Sequence, residues 1–151
     1  MRTQSMDHCL FCKIIENRIP SRRVYQDDVC IAFLDINPVN RGHVLIVPRL
    51  HHEDLTSLPP EVAAHVASKL PALCAAVVRA TGAEGFNVIV NNGKVAGQTI
   101  FHGHWHIIPR FHDDTVNWPW PQGAYFGDEI QQIGFAIEKE LAALQNPESG
   151  A

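Results

Sequence analysis

The chain has no surplus of basic residues: 12 lysines and arginines face 16 aspartates and glutamates, for a formal net charge of -4. Nucleic-acid binding draws on a basic face that neutralises phosphates, so this balance, with its arginines scattered, excludes nucleic acid as the expected partner. The longest apolar runs are interrupted well before membrane-spanning length, so no membrane-crossing segment and no membrane partner are expected. The opening MRTQSMDHCLFC contains no apolar core of signal-peptide length, and the expected location is therefore the reducing cytoplasm. Internal repeats, low-complexity tracts and linker-like stretches are missing too. A length of 151 residues then predicts one domain over 1–151, with a flexible N-terminus at 1–8 and a C-terminal extension at 113–151 packed on the domain or a partner. Hydrophobic residues at 46% and charged residues at 19% suit a chain that buries a real core.

Cysteine is scarce. Of the four, Cys30 and Cys74 sit inside apolar patterns and read as small buried hydrophobes. Cys9 and Cys12 form a CxxC pair, a spacing shared by metal ligands, by redox-active dithiols and by unrelated cysteines on one helical turn.

The segment CLFCKIIENRIP predicts a short helical turn ended by Pro20. RRVYQ and VCIAFLD, rich in β-branched and aromatic residues and separated by Asp27-Asp28, predict a hairpin. The nearly all-apolar HVLIVP predicts a central strand closed by Pro48. LTSLPPEVAAHVASKLPALCAAVVRATG predicts the main helix, stopping at Gly82, with Pro71 kinking or splitting it. GFNVIVNN and TIFHGHWHIIPR predict two more strands joined by a glycine-containing loop. Ile130, Ile133, Ile137 and Leu141 recur at helical spacing near the C-terminus. The sum is an α+β domain: a mostly antiparallel five-stranded sheet with one long helix, a shorter helix and a C-terminal helix.

FHGHWHIIPR, residues 101–110, is the unusual stretch. In an extended strand, side chains at i, i+2 and i+4 share one face, which aligns His102, His104 and His106. A half-buried strand gives its faces to core and solvent, and three adjacent imidazoles suit neither without partners. Neutral imidazole near pH 7 is a proton shuttle, a metal ligand or a nucleophile.

This spacing, followed by two apolar residues, resembles the histidine triad (HIT) superfamily. The likeness extends over FCKIIENRIPSRRVYQDDVCIAFLDINPVNRGHVLIVPRLHH and GFNVIVNNGKVAGQTIFHGHWHIIPR. One departure is Gly103, where the family usually carries a larger residue; a glycine there is expected to loosen the strand. The resemblance implies a hydrolase or transferase acting at the α-phosphate of a nucleotide: a nucleoside phosphoramidate, a dinucleoside polyphosphate or an adenylylated metabolite. It makes His104 the nucleophile, gives His106 the phosphate and leaving oxygen, and places His43 in support. Asn91, Gly97, Gln98 and Thr99 become phosphate contacts, Asp35 with Ile36 and Asn37 the ribose site, and Phe11 and Ile14 walls of the base pocket. Arg110 and His112 are candidates for a longer phosphate chain, and Trp118 and Trp120 for a cap on the pocket, a cover over a core edge or a contact with a partner subunit. The resemblance also implies homodimers that pair through the long helix and the sheet edge.

Relatives that carry zinc use a CxxC pair, the histidine of a Pro-x-x-His segment and the first triad histidine. Here Cys9, Cys12, His51 and His102 match, with His8 and His52 as neighbouring competitors, and four protein ligands make the zinc structural. Two other readings are a zinc-dependent hydrolase with the histidines as catalytic ligands, and a nucleotide-binding scaffold with little turnover.

Overall fold

The computed structural model describes residues 6–117 and 119–146. The first helix, α1, spans Leu10–Ile15; Cys9 caps it, its sulfur accepting the Cys12 N–H at 3.4 Å. Residues 6–8, part of the expected flexible N-terminus, are helical and lead into that cap. The hairpin of β1, Arg23–Gln26, and β2, Cys30–Leu34, turns at Asp27, whose Oδ1 accepts the N–H groups of Val29 and Cys30 at 2.7 and 2.9 Å. The apolar β3, Val44–Pro48, follows.

The long helix differs from its sequence expectation. Leu55–Ser57 form a separate 3₁₀ turn capped by Asp54, and α2 runs over Pro60–Thr81 without a split at Pro71. Proline removes one helical hydrogen bond, but buried Val66 before it and Leu73, Cys74, Ala76 and Val77 after it hold both halves against the core. Gly82 ends α2 at φ +71°, a left-handed cap that suits glycine. By length and composition α2 could cross a membrane, contrary to the expectation from interrupted apolar runs. Its apolar surface has two uses here: one face packs on the sheet, and another lines a groove beside an edge strand.

That edge strand is β4, Gly85–Ile89; β5 is Trp105–Arg110 and α3 is Glu129–Gln145. The strand order is β1-β2-β3-β5-β4, and every neighbouring pair is antiparallel, an α+β architecture with the central strand where the sequence places it. Alternation sorts the faces. Ala32, Leu34, Val44, Ile46, Trp105 and Ile107 pack with α2 and with Ile137 and Leu141 of α3, the helix of the C-terminal extension. Ile31, Phe33, Leu45 and Val47 point the other way and pack with Phe11 and Ile14 of α1. His106 pairs across with Leu45, so it belongs to the α1 side of the sheet.

The expected strand TIFHGHWHIIPR is shorter than its sequence pattern. Only Trp105 onward pairs in the sheet, while residues 101–104 approach it as an irregular segment. The cause lies in the partners of His102.

Candidate active site and metal-binding cluster

Burial and hydrogen bonding fix the tautomers of three imidazoles. His104 lies 2.8 Å through Nδ1 from the carbonyl oxygen of His102. A carbonyl only accepts, so Nδ1 carries the proton and Nε2 keeps its lone pair. The Val39 N–H donates to Nδ1 of His43 at 3.1 Å, which places the His43 proton on Nε2. That Nε2 donates to Nδ1 of His106 at 2.9 Å, and a neutral His106 then carries its own proton on Nε2. Asp35 Oδ2 stands 3.9 Å from Nδ1 of His43, beyond hydrogen-bond reach, so the Val39 amide sets the ring. The result is one imidazole with a free lone pair beside another with a free N–H, their ring centroids 4.7 Å apart. Burial lowers the pKa of all three, to about 3 for His43 and about 2 for His106, so each is neutral near pH 7. Neither His43 nor His106 offers a lone pair to a catalytic metal in this arrangement.

These rings open on a cavity of about 380 Å³. Of the sequence-derived residues, Asp35, Asn37, His43, Asn91, Gly97, Thr99, His104 and His106 line it. The Asp35 carboxylate accepts the Asn37 N–H at 2.9 Å and is pushed up in pKa by burial. Among the described residues the side chains of Asn91 and Thr99 make no hydrogen bond within the protein, which leaves them for a ligand.

The other expected binding residues lie outside this lining. Gln98 is 2% exposed; its Oε1 accepts the Gly93 N–H and its Nε2 donates to the carbonyls of Glu53 and Ile100, so it shapes the loop from within. Phe11 stands edge-on to His104 at 4.9 Å, Ile14 is buried among the α1 contacts, and Ile36 is 68% exposed. Arg110 is engaged by Asp114 through two hydrogen bonds of 2.8 and 2.9 Å. Sequence reasoning missed Val39, Ile100, Pro119, Pro121 and Gln122 on the cavity wall. Val39 acts through its main-chain N–H, which leaves no mark on residue type. Trp120 lines the cavity 5.0 Å from His106, whereas Trp118 lies outside the described residues.

His102 turns away from this cavity, so the three imidazoles do not share one cleft. Its Nδ1 lies 3.5 Å from Cys9 Sγ, 3.6 Å from Cys12 Sγ and 3.3 Å from His51 Nδ1, and the four donor atoms fall within 4.8 Å of one another. Its Nε2 donates to the Pro48 carbonyl at 2.8 Å, which leaves the Nδ1 lone pair facing the cluster. Two thiols and two imidazoles are the donor set of a closed zinc site. Burial, then Cys9, pushes the Cys12 thiol up to about 12, so its thiolate needs a cation beside it. The donor set, its spacing and the orienting bond from Pro48 all fit zinc. His52 is not part of this cluster.

The HIT domain family matches residues 16–113. The adenylylsulfatase HINT3 of Arabidopsis thaliana is 51% identical over 136 residues, covering 90% of this chain; the chain spans 65% of the plant protein's length. The adenosine 5'-monophosphoramidase hnt1 of Schizosaccharomyces pombe is 35% identical over 134 residues, 88% of this chain and 98% of the yeast protein. A zinc-bound histidine triad family protein from Mycobacterium smegmatis superposes with a TM-score of 0.83 at 34% identity, covering 94% of this chain and 99% of that one.

Proposed function

The chain belongs to the HIT domain family, and from that premise we propose that it hydrolyses, or transfers, the α-phosphate of a nucleotide through a nucleotidyl-histidine intermediate on His104. The carrying observation is the bond from His104 Nδ1 to the His102 carbonyl, which presents an unprotonated Nε2 to the cavity of about 380 Å³. In the first step Nε2 attacks the α-phosphorus as the bond to the leaving group breaks, and the departing atom takes the proton from Nε2 of His106. Water then attacks the same phosphorus as its proton passes to the bare Nε2 of His106, the nitrogen–phosphorus bond breaks, and the nucleotide is released with His104 and His106 both restored. Asp35 accepts from the ribose hydroxyls, while Asn91 and Thr99 donate to phosphate oxygens.

The relatives' activities support a small leaving group. Trp120 beside His106 narrows the space around the proton donor, which suits sulfate or an amine better than a long phosphate chain. The deciding experiment is turnover of adenylylsulfate, adenosine phosphoramidate and dinucleoside polyphosphates side by side. The reading expects the first two to be cleaved faster; turnover of none would leave a nucleotide-binding scaffold.

Zinc would be held by Cys9, Cys12, His51 and His102, and with four protein ligands it would supply a structural tie between α1, the segment after β3 and the triad. Elemental analysis should return one zinc per chain, and a metal-free preparation of undiminished stability would remove this assignment. Thiols serving as metal ligands suit a reducing compartment, the basis for proposing a cytoplasmic location. A homodimer is proposed on the α2 and β4 surface.

A further inference from the structure

Gly103 is the peptide unit between the metal-cluster histidine and the nucleophile, and both ends of that unit are held. Its N–H donates to the His52 carbonyl at 2.9 Å, while the other side of the same peptide group, the His102 carbonyl, accepts from His104 Nδ1 at 2.8 Å. In a trans peptide the N–H and C=O point in opposite directions, so anchoring the one aims the other. The His52 side chain closes the remaining freedom. Its ring occupies the space where a side chain at 103 would stand: a Cβ on Gly103 would meet Nε2 at 2.2 Å, Cδ2 at 2.9 Å and Cε1 at 3.1 Å. Gly103 is not at positive φ, so the need for glycine is one of space.

His52 is itself a held residue. It is 4% exposed, its Nδ1 donates to the Leu50 carbonyl at 3.1 Å, and its ring lies 5.6 Å from that of His102. Among the described residues its buried Nε2 has no hydrogen-bond partner, an arrangement that costs free energy and serves no need of the core. An apolar side chain would fill the same volume without that cost.

We propose that His52 is a positioning residue for the reaction: its ring and carbonyl clamp Gly103, orient the peptide between residues 102 and 103, and so fix the tautomer of His104. This rests on the reading of His104 as nucleophile. In place of the loosened strand expected from glycine, the 52–103 pair is a lock in which the ring at 52 supplies the bulk missing at 103.

The lock has a reciprocal test. His52→Ala removes the ring and Gly103→Ala drives a methyl into it; each should lower kcat roughly ten- to a hundredfold with KM nearly unchanged, because misplacement acts on the chemical step. The double variant removes the ring and fills its place, and should recover activity above either single variant. Bound zinc is measured on each protein. The second readout is the ¹⁵N spectrum of His104: the wild type should show a protonated Nδ1 and a bare Nε2, and the single variants a mixture.

A Gly103→Ala enzyme with wild-type kcat, a double variant no better than the product of the singles, or a kcat loss that tracks zinc loss would each overturn the proposal. If the wild type turns over no nucleotide, the functional reading fails, and the ¹⁵N spectra alone then decide the lock.

Discussion

A neutral imidazole has one nitrogen that donates and one that accepts, and His104 donates its N–H to a main-chain carbonyl, so the lone pair on Nε2 is available before any ligand arrives. Asparagine in its place retains a hydrogen-bonding side chain of similar reach but has no nucleophilic nitrogen. His104→Asn is therefore expected to lower kcat by at least about a thousandfold while nucleotide affinity changes little. Rapid quench at alkaline pH followed by mass spectrometry should find the nucleotidyl adduct on the wild type and not on the variant. An adduct on another residue, or full turnover by the variant, would refute His104 as nucleophile. At this scale the sequence was most legible where residue type carries the chemistry: His43, His104, His106 and Asp35 all meet at one cavity. It was least legible where the main chain acts, as with the Val39 amide, or where a distant side chain fills a gap, as His52 does over Gly103.

Among the elements, the β1–β2 hairpin is fastened to α2 through one carboxylate. Asp27 Oδ1 takes two backbone N–H groups of its own turn, and Oδ2 takes the Tyr25 hydroxyl and Nε2 of His65 on α2, the latter at 2.7 Å. Burial pushes this carboxyl up in pKa, but the four donors together outweigh it and hold the group below its ordinary range. Asp27→Asn keeps the turn acceptor and replaces the other oxygen with a donor that faces Tyr25. The expected loss is about 1–3 kcal/mol of unfolding free energy, read from urea denaturation; an unchanged midpoint would mean that α2 is held by its apolar contacts alone. The hairpin was visible in the β-branched runs flanking Asp27-Asp28, and the central strand in HVLIVP. What periodicity could not show was the end of β5. Residues 99–104 carry a strand-like alternation, yet the donors around Cys9 and Cys12 take His102 out of the ladder, and sulfur–imidazole proximity across 90 residues leaves no local trace. At Pro71 one of the two expected outcomes, a split, does not occur, since burial on both sides outweighs one missing helical bond.

The whole molecule is left with an apolar face and an acid-sensitive interior. Phe86 and Val88 of the edge strand β4 are 47% and 40% exposed, and with Ala67, Pro71, Ala75 and Val78 of α2 they line a groove of about 520 Å³. An open strand edge beside an apolar helix face suits a second copy of the chain. Light scattering should give twice the 16.8 kDa chain mass, and Phe86→Glu with Val88→Glu should halve it; a monomeric wild type would remove the dimer. The interior responds to pH through His43 and His106, which burial holds at about 3 and about 2 against an ordinary 6.5. Between 6.5 and those values the unfolded chain binds protons that the folded chain refuses, so stability must fall as pH falls. The slope is up to about 1.4 kcal/mol per pH unit for each such ring. Asp27 and Asp114, held below their ordinary 3.8, add acid sensitivity only near and below that value, and Asp35, raised by burial, works in the opposite sense. Urea midpoints taken from pH 7 to 5 should therefore decline, and His106→Asn should decline less steeply, the difference between the two proteins isolating that ring from the metal ligands. Parallel slopes would show that His106 binds its proton in the folded protein as readily as in the unfolded one, and that the neutral relay to the leaving group does not persist into acid.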